Sequence, residues 1–174
     1  MSDHGQKRAS DLKNEGCVSF RDGIVALLPE LRAFARFLSR DRVQADDLVQ
    51  ETIVRAFASR DQFADDTNLK AWSFTILRNL FYEQGRRRKR EQEVLDEYGE
   101  RSAPEVAHGN DLSELSDLNR LLWALPAAQR EALTLVGAQG MSYEEAAQIC
   151  EVSVGTIKAR VSRARRFLNE SREG

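Results

Sequence analysis

Residues 152–168 read VSVGTIKARVSRARRFL, and Lys158, Arg160, Arg163, Arg165 and Arg166 crowd this one helix-length stretch. The whole chain of 174 residues, by contrast, sets 26 Lys+Arg against 28 Asp+Glu, for a formal net charge of −2. At about 100° per residue, Ile157, Val161, Ala164 and Leu168 fall on one arc and predict a buried stripe. Lys158, Ala159, Ser162, Arg163 and Arg166 take the opposite arc, and Arg160 and Arg165 flank the stripe. Such a wheel suits a helix lying in the DNA major groove, with outward side chains at base edges and flanking arginines on phosphates. Small Ala159 and Ser162 leave room for close approach. A solvated cationic face is the competing, less favoured reading of the wheel alone.

The residues just upstream favour the first reading. Ser142 followed by Glu145 makes a capping box, in which hydroxyl and carboxylate each satisfy a free backbone N–H. YEEAAQIC then predicts a short helix that turns Tyr143, Ala146, Ala147 and Cys150 inward. Glu151, Val152 and Ser153 form a turn, Ser153 caps the next helix, and Val154 begins it. A short helix, a three-residue turn and a longer helix outline a helix-turn-helix. A merely solvated helix has no need of that entry. Further upstream, Leu115, Leu118, Leu121, Leu122 and Leu125 form another stripe. Pro126 suits the first turn of a helix over AAQREALTLVGA, which ends at Gly140.

The first half of the chain is also helical in pattern. Residues 1–19 are polar and aperiodic, a loose tail. Apolar residues at three- and four-residue steps predict helices over about 22–39 and 45–59. DQFADDTN at 61–68 reads as a loop, and a third helix runs from Leu69 through Leu80 toward RRRKR at 86–90, with a break at Gly85. Gly99, Pro104 and Gly109, with few apolar residues around them, mark 91–113 as linker-like. The fold class expected is all-α. A three- to four-helix domain over 20–95 and a helix-turn-helix domain over 114–172 are joined by a flexible acidic linker at 96–113.

Several function classes find no support. Cys17, Cys150, His4 and His108 are isolated and match no metal-ligand spacing, so no metal or other cofactor is expected. No Ser/His or Cys/His/Asp constellation and no phosphate-cradling glycine loop is present, which argues against an enzyme. The longest apolar run, IVALL at 24–28, is far too short to span a membrane, and the N-terminus lacks the apolar core of a signal peptide. A cytoplasmic location is expected.

Within 114–170, "LP..QRE", "SYEEAA" and "GTIKARVSRAR" occur in an order and spacing that resemble the C-terminal DNA-binding region of bacterial extracytoplasmic-function sigma factors. The resemblance implies that Lys158, Ser162 and Arg163 face −35 bases and that Ser153, Gly155, Thr156, Arg160 and Arg165 hold the backbone, with Ala159 and Arg166 counted in the same −35 DNA-binding face. Glu151 stands where many relatives place glycine. ADDLVQETIVRAF at 45–57 resembles the helix by which sigma factors grip the clamp of the largest polymerase subunit. Asp46, Asp47, Leu48, Gln50 and Glu51 are the implied contacts, and the second subunit's flap is the implied partner of the C-terminal domain.

DQFADDTNLKAWSFTILRNLFYEQGRRRKR resembles the part that melts and captures the −10 element. There Phe63, Asp65, Asp66, Thr67 and Asn68 would line the base pocket, with Arg78, Asn79 and Tyr82 facing the DNA close by. Arg86, Arg87 and Arg88 would meet upstream phosphates. The core reading is better for Trp72, Ile76 and Leu80, and Phe63 fits either role. The implied function is promoter-specific initiation with core RNA polymerase on promoter DNA. Within the family, the general-stress type (EcfG) is the most similar, and it implies restraint by a small helical anti-sigma factor, NepR-like. Two alternatives remain open: a sigma-like mimic that sequesters an anti-sigma factor without binding DNA, and a stand-alone helix-turn-helix repressor.

Overall fold

The computed structural model describes residues 19–64, 67–97 and 116–173, and these residues contain only helices and their connections. The tail over 1–18, Asp65, Asp66 and the linker residues 98–115 lie outside the described residues.

Helix α1 (Phe20–Ser39) begins at Ser19, whose hydroxyl accepts from the Asp22 N–H at 3.3 Å. It ends at Arg40 in the left-handed region, φ 60°. Helix α2 (Arg42–Ala58) is capped by Asp41, which accepts from the Gln44 N–H at 2.7 Å. Helix α3 (Leu69–Glu97) is capped by the Asn68 side-chain oxygen, which accepts from the N–H groups of Lys70 at 3.0 Å and Ala71 at 3.2 Å. The three helices pack on one another through Leu31, Phe34 and Ala35 of α1, Ala45, Leu48 and Val49 of α2, and Phe74, Leu77 and Leu80 of α3. Phe34 stacks on Phe74 with centroids 5.0 Å apart. Each fully buried Leu or Phe contributes roughly 1.5–3 kcal/mol, so this trio is the first half's main source of stability.

No break occurs at Gly85. Helix α3 runs straight through it to Glu97 and into the residues that composition alone marks as linker. Two i,i+4 pairs, Arg87–Glu91 at 2.8 Å and Lys89–Glu93 at 3.8 Å, bridge the turns after the glycine. Such solvent-exposed pairs add modest local support to a helix, against the cost of a helical glycine.

In the second half come α4 (Ser116–Ala124), α5 (Ala127–Leu133), a wide π turn over Thr134–Ala138, α6 (Tyr143–Cys150) and α7 (Val154–Glu173). Pro126 is the N-cap of α5, one residue before the position its composition predicts. Gly140 adopts φ 65°, which closes the turn into α6. Ile157, Val161 and Ala164 of α7 are buried, and the first two share a core cluster with Ala132, Leu135, Ala146 and Ile149. Leu168, last on the predicted stripe, is only partly covered.

The two halves do not stand apart. Helix α3 packs on α6, and α1 touches the π turn, so that one continuous apolar cluster runs from Leu31 to Val161.

Candidate nucleic-acid and polymerase interfaces

The helix-turn-helix forms as its sequence dictates. The Glu145 N–H donates to the Ser142 hydroxyl at 3.1 Å, and the Ser142 N–H donates to the Glu145 carboxylate at 2.8 Å. These bonds hold Glu145 below the usual carboxylate range, the backbone N–H of Ser142 being the largest cause. At the far end Glu151 occupies the left-handed region, φ 56° and ψ 43°, the conformation glycine would otherwise supply. Its neighbour Val152 donates its N–H to the Ala147 carbonyl at 3.1 Å. The Ser153 hydroxyl then accepts from the Thr156 N–H at 3.2 Å and contacts the Thr156 hydroxyl at 2.9 Å. Gly155 follows Ser153 on the exposed side.

This frame aims α7 outward. Lys158, Ser162, Arg163, Arg165 and Arg166 are exposed, and Ala159 and Arg160 are half-buried at the margin. The Lys158 ammonium lies 5.8 Å from the centre of the Tyr143 ring. Tyr143, Lys158, Ser162, Arg165, Arg166 and Asn169 line a shallow groove along α7. Tyr143 and Asn169 are additions to the predicted face. Tyr143 reads as an inward residue of a short helix, and Asn169 lies beyond the basic cluster, so neither stands out in the sequence.

In the first half, Arg42, Asp46 and Gln50 of α2 line a groove whose other wall carries Arg32 and Arg36 of α1. Asp47 is exposed, and Glu51 pairs with Arg55 at 3.2 Å. Leu48 corrects its assignment as a contact: it is 0% exposed, packed in the three-helix core, and its side chain is out of a partner's reach. The basic wall escaped notice because Arg32 and Arg36 are spread along α1 and meet Arg42 only when α1 folds back on α2.

Phe63 packs with Trp72 and Phe20, centroids 5.2 and 5.6 Å away, and Phe57 stands edge-on to Phe20 at 5.6 Å. The Arg60 guanidinium covers Phe20 at 4.7 Å. Phe63 is thus a wall of an aromatic cluster while remaining half-exposed. Thr67 and Asn79 are exposed, as are Arg86, Arg87 and Arg88 on the projecting part of α3. Trp72 and Ile76 are half-buried and Leu80 is fully buried.

Arg78, Tyr82 and Asn68 are engaged across the two halves. Arg78 Nε donates to Glu131 Oε1 at 2.7 Å, and the Tyr82 hydroxyl donates to Glu131 Oε2 at 3.3 Å. The Glu131 side chain is 2% exposed and that of Arg78 15%. Burial pulls Arg78 down, but the charge and hydrogen bond of Glu131 outweigh it and the net shift is upward. Burial first, then Glu131, raises Tyr82. The Asn68 amide donates to the Glu145 carboxylate, and Lys70 Nζ donates to the Gln139 carbonyl at 2.7 Å. Trp123 sits between two guanidiniums, Arg130 at 3.9 Å and Arg40 at 5.2 Å, the latter from the first half.

Among the described residues no group of His, Cys, Asp and Glu is placed to hold a metal ion, and no helix is long and apolar enough to cross a membrane.

Known proteins agree with this architecture. Residues 24–91 match the family Sigma-70 region 2, and residues 115–168 match Sigma-70, region 4. The ECF RNA polymerase sigma factor EcfG of Rhodopseudomonas palustris (strain TIE-1) is 52% identical over 155 residues, 87% of this chain and 83% of that protein. The ECF RNA polymerase sigma factor SigC of Mycobacterium tuberculosis (strain CDC 1551 / Oshkosh) is 33% identical over 143 residues, 82% of this chain and 77% of that protein. Among solved structures, the sigma factor RpoE of Bartonella quintana, crystallised with the anti-sigma factor NepR, superposes with a TM-score of 0.74. It is 47% identical, and the match covers 88% of this chain and 96% of that one. The chain therefore belongs to the extracytoplasmic-function sigma factors, the transcription regulators that direct core RNA polymerase to promoters.

Proposed function

We propose that the two halves read the two promoter elements, the exposed face of α7 taking the −35 element and α3 with its preceding loop taking the −10 element. The observation that carries this is the face of α7. A capped turn fixes a helix that buries Ile157, Val161 and Ala164 and whose Lys158, Ser162, Arg163 and Arg166 are all exposed. Outward cations on a helix presented this way match major-groove readout. Asn79 with Arg86, Arg87 and Arg88 supplies an exposed polar and basic track along α3 for the −10 strand and upstream phosphates. The division into domains over 20–95 and 114–172 with a linker at 96–113 lets the pair span separated elements.

The groove between α1 and α2 is the polymerase surface in this reading. Asp46, Asp47, Gln50 and Glu51 offer carboxylates and an amide beside it, and Arg32, Arg36 and Arg42 add an opposite charge. The mixed lining suits a polar helical partner with both signs of charge. The likeness to EcfG and to an RpoE solved with NepR supports a role in a stress response and control by a small helical anti-sigma factor of the NepR type. The chain works in the cytoplasm beside polymerase, which supplies the catalysis.

Reconstituted transcription with core polymerase on a promoter library tests the reading. Enrichment of promoters sharing paired −35 and −10 sequences is expected. Specific binding to duplex by the chain alone, with no effect of polymerase, would instead establish a repressor.

A further inference from the structure

The side-chain hydrogen bonds between the two halves lie on or beside the residues proposed to hold the −10 strand, next to the apolar packing of α3 on α6 and the Arg40–Trp123 contact. Asn68 donates to Glu145, Arg78 and Tyr82 both donate to Glu131, and Lys70, in the same segment, donates to the Gln139 carbonyl. On the first half every one of these groups is a donor or a cation. On the second half every one is an anionic or carbonyl oxygen. An anionic oxygen facing a guanidinium and a phenol is also what a DNA phosphate presents. With only 15% of its side chain exposed, Arg78 has no room to meet Glu131 and a nucleic acid together.

We propose that Glu131 is an internal competitor for DNA: its carboxylate occupies Arg78 and Tyr82 in the closed chain, and the −10 surface is released only when the halves separate. The inference rests on the −10 role assigned to Arg78, Tyr82 and Asn68 above.

The chemistry of the latch suits a reversible closure. A buried ion pair loses hydration on both sides, and its attraction roughly repays that loss, so it specifies an arrangement without adding much to its stability. Removing one partner is different, because the other is left buried and uncompensated. Glu131 therefore favours the closed arrangement in a chain standing alone, yet a larger polymerase surface can overcome it. While the chain is closed, its apparent affinity for DNA falls in proportion to the open fraction. The exposed face of α7 is not covered by these contacts, so the block acts on the −10 surface alone.

The test uses the full chain carrying Cys17→Ser, with dyes on Val54→Cys of α2 and Asn169→Cys of α7, both exposed. Energy transfer between the dyes reports closure. A fluorescein-labelled pool of random single-stranded DNA reports access to the −10 surface. Glu131→Gln is expected to raise the open-to-closed ratio by about ten-fold and to tighten DNA binding by a similar factor. Adding Arg78→Ala should abolish that gain. Lys70→Ala leaves the buried pair intact and should shift both readouts in the same direction by less; it carries the test if Glu131→Gln does not fold. Unchanged energy transfer in the folded variants would overturn the latch. Opening without a gain in DNA binding would overturn the competition. Transcription by Arg78→Ala with core polymerase then shows separately whether the −10 role itself stands.

Discussion

Asn68 caps the start of α3 and Glu145 completes the capping box of Ser142 at the start of α6, and the two are hydrogen-bonded to each other across the halves. One carboxylate thereby serves the Ser142 N–H, the start of the helix-turn-helix and the closure of the chain. Its pKa lies below the ordinary carboxylate value, first because the Ser142 N–H stabilises the ionised form. A group depressed on folding contributes stability that is fully present above its unfolded pKa and is lost as pH falls through its folded one. Glu145→Ala is expected to lower stability by about 1 kcal/mol at pH 7. The difference from the parent chain should shrink at pH values below the ordinary carboxylate range. Urea unfolding followed by helical circular dichroism at several pH values measures both.

Glu151 holds a left-handed backbone at the turn of the helix-turn-helix, φ 56°. For a residue with a Cβ that conformation costs roughly 1–2 kcal/mol, whereas glycine adopts it freely and loses more chain entropy on folding. Glu151→Gly should therefore stabilise the chain by about 0.5–1 kcal/mol. A rise in the urea midpoint at unchanged slope is the expected result.

The turn illustrates how far the sequence reaches. Its place was legible, since the Ser142–Glu145 box and Ser153 fix both flanks by local chemistry. Its αL residue was not, because Glu151 has no preference for that region and is held there by bonds to Ala147 and Gln148. The same limit applies at Gly85: glycine weakens a helix but does not end one, and α3 continues through it with two exposed i,i+4 pairs beyond. The face of α7 was readable because period and exposure coincide on an amphipathic helix. Leu48 was misassigned because an acidic segment and an apolar stripe share α2, and only packing assigns each residue to one. The Arg78–Glu131 pair joins residues 53 apart in the chain and depends on how the halves dock, which no local pattern encodes.

Cys150 closes α6 beside Glu131, 3% exposed. Burial first, and then the Glu131 charge, pushes its thiol up to about 12. Only the thiolate reacts readily, so Cys150 should resist iodoacetamide at pH 7–8 in the folded chain and react on unfolding in urea. Rapid labelling of the native chain at this position, read by mass spectrometry, would contradict the packing.

Ser73 is fully buried in α3, and its hydroxyl has no hydrogen-bond partner among the described residues. A buried unpaired hydroxyl costs about 1–3 kcal/mol. Ser73→Ala removes that cost with little loss of volume, and is expected to be neutral or to stabilise by about 1 kcal/mol. Thermal unfolding compares the two chains directly.

Arg163 and Arg165 are both exposed cations of α7, but they point in different directions, and this separates their expected roles. Arg163 lies on the arc opposite the buried stripe, and Arg165 flanks the stripe; in the proposed docking the first is expected at base edges and the second at phosphates. A bidentate base contact discriminates by about 1–3 kcal/mol, so Arg163→Ala should reduce transcription from the preferred promoter roughly 5- to 150-fold. Promoters altered at the contacted −35 position should lose little further. Arg165→Ala should weaken all promoters to a similar degree and reduce the salt dependence of binding by about one counterion. Neither substitution lies near the groove between α1 and α2, so both variants should bind core polymerase like the parent chain. If transcription across a set of −35 variants instead falls uniformly for Arg163→Ala and selectively for Arg165→Ala, α7 enters the groove rotated from the face its buried stripe implies.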